Sequence, residues 1–96
     1  MRDMRLQYAD ISGANLRGAH MPNVRMEHAR AVGTDFTGAS VAKGNFRYSV
    51  LDHALFVRAR LSMAAFFGAS CNQTDFTDAL EPPVDSMSAC ISGRAF

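Results

Sequence analysis

Apolar residues recur along this chain at every fifth position. Counted from Leu6, the positions Leu6, Ile11, Leu16, Met21, Met26, Ala31, Phe36, Val41, Phe46, Leu51, Phe56, Leu61, Phe66, Cys71 and Phe76 form an unbroken apolar column. Three residues further on, a second column runs from Ala9 to Ala79 and holds ten alanines in fifteen places; the other five are Val24, Thr34, Gly44, Ser49 and Thr74. The thirteen charged residues between positions 6 and 80 avoid both columns. Random placement would achieve this on the order of once in a thousand trials, because three of five columns stay open to each charge. The spacing matches neither the helical period of about 3.6 nor the strand period of about 2. A five-residue unit with two inward positions has to turn a corner in every repeat.

The units read ADISG, ANLRG, TDFTG, GNFRY and TDFTD at their most legible. This pattern resembles the A-(D/N)-L-x-x motif of the pentapeptide-repeat proteins, and the resemblance covers about residues 4–80. It implies an all-β fold, a right-handed quadrilateral β-helix in which each repeat forms one side and about twenty residues make one coil. About four coils are expected over residues 1–80, with 81–96 forming a loop and a C-terminal cap or partial fifth coil.

A period of twenty can be tested on the residues themselves. Steps of twenty collect Leu16, Phe36, Phe56 and Phe76 in one stack and Leu6, Met26, Phe46 and Phe66 in a second. The remaining stacks, Ile11, Ala31, Leu51, Cys71 and Met21, Val41, Leu61, hold smaller groups. Bulky rings thus segregate to two of four sides, as filling a square cross-section to native density requires. Leu16, Phe36, Phe46, Phe56, Phe66 and Phe76 are the predicted structural core. The Gly44 and Ser49 breaks in the alanine column are expected to make room for the Phe46 ring.

The ends are less regular. The repeat breaks at EPPVD, where Glu81 takes an inward position and Pro82 and Pro83 remove backbone donors. Ala89 and Ile91 then return to the expected columns and Phe96 extends a phenylalanine stack. In that register Cys71 points inward and Cys90 outward, so the two cysteines are not expected to pair, which suits a reducing cytoplasm. No capping helix is legible before Leu6, so that end would be covered by a partner or by further chain.

The net charge of +1 in 96 residues argues against bulk nucleic acid as a partner. Residues 1–60 carry nine Lys/Arg and five Asp/Glu, whereas residues 61–96 carry one Arg and four acids. No apolar run is long enough to span a membrane, and no catalytic or phosphate-loop motif is present. His20, His28 and His53 project to different sides or levels, so no metal site is expected. No catalytic residue and no cofactor is predicted.

Two surfaces attract attention. Tyr8, His28 and Tyr48 fall along one corner at steps of twenty, beside Arg5 and Arg25 on one flank and Gln7, Glu27, Arg47 and Phe67 on the other. Arg5, Tyr8, Arg25, His28, Arg47, Tyr48 and Phe67 form the candidate interaction face, since Tyr and Arg are common anchors at protein interfaces. Val32, Val50, Leu55 and Val57 place aliphatic groups in outward columns and form a candidate apolar patch for self-association or docking.

These features favour a non-enzymatic protein-interaction or scaffold module with a protein partner. One alternative is a targeting or effector module of a larger protein. Another comes from the resemblance, since one branch of that family imitates duplex DNA and inhibits DNA gyrase. A mimic four coils tall would need roughly eleven negative charges, but residues 6–80 offer seven Lys/Arg against six Asp/Glu.

Overall fold

The computed structural model describes residues 4–81 and Cys90. Parallel bridges join residues twenty apart throughout, from Arg5–Arg25 to Arg60–Leu80. Each side of the tube is a strand only one bridge long, and the chain then turns. In mid-tube the Phe36 N–H donates to the Leu55 carbonyl (2.7 Å) while the Asp35 N–H donates to the Ala14 carbonyl (3.0 Å). Every such rung is therefore tied to the coils on both sides, a one-dimensional stack of nearest-neighbour contacts.

The corners explain the period of five. Within each repeat the alanine-column N–H donates to the carbonyl of the preceding apolar-column residue, as Ala39 does to Phe36 (2.9 Å) and Ala54 to Leu51 (3.0 Å). The third residue of every turn, from Tyr8 to Asp78, has φ between 54° and 75°. A single positive φ at that place is the type II turn pattern. Ten of these fifteen residues are not glycine, and each bears a backbone penalty of roughly 1–2 kcal/mol. Inter-coil hydrogen bonds fix the turn regardless of the residue that occupies it.

The four sides are named here by a core residue: the Phe46 side (Leu6, Met26, Phe46, Phe66), the Leu51 side, the Phe56 side (Leu16, Phe36, Phe56, Phe76) and the Leu61 side, in chain order. Rings stack along each aromatic side, Phe36 on Phe56 at 4.6 Å and Phe46 on Phe66 at 4.9 Å between centroids. They also meet edge-to-face across the lumen, Phe46 to Phe56 at 5.9 Å. Phe36, Phe46 and Phe56 are fully buried, Phe66 and Phe76 nearly so. Leu16 is only partly buried, because it belongs to the first coil described.

The polar exceptions in the alanine column are satisfied by backbone. Thr34 Oγ1 donates to the Ile11 carbonyl (2.8 Å), Thr74 Oγ1 to the Leu51 carbonyl (2.6 Å) and Ser49 Oγ to the Phe46 carbonyl (2.6 Å). Gly44 is there for space, as expected. A Cβ at this position would lie 2.8 Å from Phe46 Cε2, 2.9 Å from the Val41 carbonyl oxygen and 3.1 Å from Val24 Cγ1. Gly44→Ala is expected to destabilise the tube by about 1–3 kcal/mol through overpacking. In a Phe46→Leu background the added cost should shrink, and urea unfolding of the four proteins in that cycle measures the coupling.

At the C-terminal end Glu81, expected inward from its column, is exposed. Its Oε1 accepts from Ser62 Oγ (2.9 Å) and pairs with Arg60 Nη2 (3.1 Å). The cysteines correct the sequence-based expectation: Cys71 and Cys90 form a disulfide, with Cα atoms 5.0 Å apart, and Cys90 is buried. Their separation is 19 residues, one fewer than the twenty between bridged residues in the tube. The 5.0 Å spacing lies within the usual disulfide range of about 4.4–6.8 Å. With no free thiols among the described residues, the argument for a reducing cytoplasm loses its basis. The expected cap or fifth coil, including Ala89, Ile91 and Phe96, otherwise lies outside the described residues.

Candidate functional site

Each side of the tube offers solvent three positions per rung: the two strand residues flanking the core residue, and the third residue of the turn. On the Phe46 side the turn positions hold Tyr8, His28 and Tyr48, whose rings form a continuous stack. Tyr8 and His28 lie 5.0 Å apart and 2° from parallel; His28 and Tyr48 lie 5.3 Å apart and 14° from parallel. The positive φ of these residues aims all three rings out of the same corner. The fourth rung has Gly68, and a Cβ there would come within 2.5 Å of Tyr48 Cδ1. The bare glycine gives the Tyr48 ring a backbone surface to lean on and closes the stack. Tyr8 and Tyr48 nonetheless remain 76% and 59% exposed.

The strand positions beside this stack are ordered too. Arg25 Nη2 pairs with Glu27 Oε2 at 2.6 Å. That hydrogen bond holds the Glu27 carboxyl below its ordinary range, and Arg47 adds to the effect. The Arg47 guanidinium lies 6.0 Å from the centre of the Phe67 ring, which is half exposed. Arg5 bridges Arg25 one coil away. The structure thus places Arg5, Tyr8, Arg25, His28, Arg47, Tyr48 and Phe67 on one side of the tube.

The aliphatic positions are more scattered. Leu55 and Val57 flank Phe56 on one strand, between the Asp35/Thr37 and Asp75/Thr77 rungs, and Leu55 is 36% exposed. Val32 and Val50 sit around the corner on the Leu51 side, on different rungs, and both are partly buried. Met63 and Leu80, exposed on the Leu61 side, were not singled out from the sequence; they occupy outward columns at the edge of the regular repeat.

Elsewhere carboxylates serve the ladder. Asp35 Oδ1 accepts the Thr37 N–H (3.0 Å), and hydrogen bonding from Thr37 keeps its carboxyl low. At Asp52 burial pushes the carboxyl up, yet hydrogen bonds from the Asn72 backbone and the Ser70 hydroxyl outweigh it and the net shift is downward. Among the described residues no three His, Cys, Asp or Glu side chains converge in a way that could hold a metal ion, and no helix is long and apolar enough to cross a membrane.

A second feature of the same region was not legible from single columns. A groove of about 510 Å³ runs along the corner between the Leu61 and Phe46 sides, lined by Arg5, Asn23, Val24, Arg25, Lys43 and Asn45. Its walls come from the turn position of one repeat and the first strand position of the next. Pairs two residues apart, Asn23/Arg25 and Lys43/Asn45, repeated at twenty, are the signal that reveals it.

A four-sided parallel tube with one short strand per side and a corner every five residues defines a β-solenoid of the repeat-protein class. The chain belongs to the pentapeptide-repeat family: the family profile, Pentapeptide repeats (8 copies), matches residues 1–38 and 45–80. No curated protein matches the sequence. Among solved structures, HetL, a pentapeptide repeat protein involved in heterocyst differentiation regulation in the cyanobacterium Nostoc sp. strain PCC 7120, is 25% identical. The match has a TM-score of 0.51 over 85% of this chain and 40% of HetL. A pentapeptide repeat protein of the Arabidopsis thaliana thylakoid lumen is 17% identical, with a TM-score of 0.46 over 81% of this chain and 60% of its own. QnrB1, a plasmid-mediated fluoroquinolone resistance protein, is 25% identical, with a TM-score of 0.40 over 82% and 43%. The chain therefore spans less than two thirds of each of these proteins.

Proposed function

We propose that this chain is a non-enzymatic protein-interaction module and that its binding face is the Phe46 side. The observation that carries this reading is the Tyr8–His28–Tyr48 stack, solvent-exposed yet held parallel by the coil repeat. Exposed aromatics normally lose rotamer freedom when a partner docks, at about 0.5–1.5 kcal/mol per ordered side chain. Here the ladder spacing has already restricted them, so a partner meets a pre-ordered apolar strip with Arg47 and Phe67 beside it. Such a face supports recognition of a surface. HetL's involvement in the regulation of differentiation agrees with a repeat tube acting through contacts.

The test is affinity capture with crosslinking, comparing the native chain with Tyr48→Ala, Arg47→Glu and the opposite-side control Thr37→Ala. The expected result is a protein captured by the native chain and the control and lost with both face variants, all of which keep the native circular dichroism spectrum. A capture profile identical across all four proteins would overturn the assignment.

A further inference from the structure

We propose that the corner groove between the Leu61 and Phe46 sides is a binding site for polyvalent oxyanions, phosphoryl or carboxylate groups presented at least two at a time. The groove has the volume of a small-ligand site, about 510 Å³ against a usual range of roughly 300–1,000 Å³. Among the described residues its lining contains three cations, Arg5, Arg25 and Lys43, two amides, Asn23 and Asn45, and no carboxylate. Among the described residues neither Arg5 nor Lys43 forms an ion pair. Arg25 is shared with Glu27, which is not among the groove lining residues.

The fold imposes this arrangement. Lys43 and Asn23 are turn residues with φ of 60° and 61°, so both project from the corner. Arg5, Arg25 and Asn45 are successive bridge residues of the next side. Val24, fully buried between them, forms an apolar floor. Neighbouring rungs lie about 4.8 Å apart, a separation at which like charges repel and a shared anion is favourable. The ladder keeps these cations together, with no carboxylate lining the groove among the described residues. Asn45 Oδ1 accepts the Arg47 N–H (3.1 Å), which leaves its amide NH₂ as a further donor. The groove thus offers charged and neutral donors in a row across three rungs, and bidentate guanidinium contacts suit oxyanions in particular. A ligand with a single anionic group would satisfy one rung, whereas one with two or more spans the row.

The groove shares Arg5 and Arg25 with the interaction face but is defined by Lys43, which is outside that face. The two can therefore fail separately: Tyr48→Ala is expected to leave anion binding unchanged. Titration calorimetry at constant ionic strength, with pyrophosphate, citrate and a hexaglutamate peptide as probes, decides the matter. Saturable binding to one site is expected, weakened about ten-fold or more by Lys43→Glu, less by Lys43→Ala, and by no more than about two-fold by Arg58→Glu on another corner. Tighter binding of hexaglutamate than of citrate would assign the anion to an acidic protein segment, and the reverse order to a free small molecule; both support the groove. Absence of saturation with all three probes, or equal weakening by Arg58→Glu and Lys43→Glu, would overturn it.

Discussion

Replacing Phe56 by alanine is expected to cost roughly 3–5 kcal/mol, at the upper end of that range, more than any other single truncation in the tube. Phe56 is fully buried. Its ring stacks on Phe36 at 4.6 Å and Phe76 at 5.3 Å, and receives Phe46 and Phe66 edge-on at 5.9 and 6.0 Å. Removing it leaves a void at the point where both aromatic ladders meet. The walls cannot collapse into that void, because the Phe56 N–H is held to the Asp75 carbonyl (2.7 Å) and the flanking Leu55 N–H to the Thr34 carbonyl (2.9 Å). A domain of this size has about 5–15 kcal/mol in total, so the melting temperature should fall by at least about 12 °C. The neighbouring exposed Arg58→Ala should stay within about 0.5 kcal/mol of the native chain. Urea unfolding followed by circular dichroism compares the two. A Phe56→Ala loss below about 1 kcal/mol would mean that the lumen repacks freely, contrary to a backbone fixed at every rung.

Most of this architecture was legible because two physical demands act on the same residues. Inward positions exclude charge, which marks the period of five; rings must stack on rings, which marks the period of twenty. Gly44 was readable for the same reason, as a break in the alanine column beside Phe46. The Tyr8–His28–Tyr48 stack followed once the coil length was known, but its lower boundary did not: Gly68 looked like any other turn glycine until the Tyr48 ring was found against it. The groove around Lys43 stayed hidden because it is built across a corner by two different columns. Cys90 was misplaced for the opposite reason. A single column extended past Glu81 turns Cys90 outward, whereas Cys90 is buried and bonded to Cys71.

The disulfide has a measurable consequence. Breaking the Cys71–Cys90 bond is expected to cost about 2–4 kcal/mol, since it frees a loop of the size for which chain entropy gives about 3 kcal/mol. Cys90→Ala and chemical reduction should shift the urea midpoint by similar amounts. Adding reductant to Cys90→Ala should change nothing further. Cys71→Ala should cost a similar amount, because both cysteines are buried in one core cluster, and the Cys71→Ala, Cys90→Ala pair should be far from additive. The loss should also be local, as expected for a solenoid whose coils feel only their neighbours. The Asp75 and Leu80 amides, bonded to the Ala54 and Ala59 carbonyls, should exchange with solvent faster once the bond is cut. The Phe36 amide, bonded to Leu55 two coils away from the cysteines, should not. Equal midpoints with and without reductant, together with two titratable thiols in the untreated protein, would show that the pair does not close. Uniform acceleration of all these amides would instead show that the tube unfolds as one unit and that the bond restrains the whole chain.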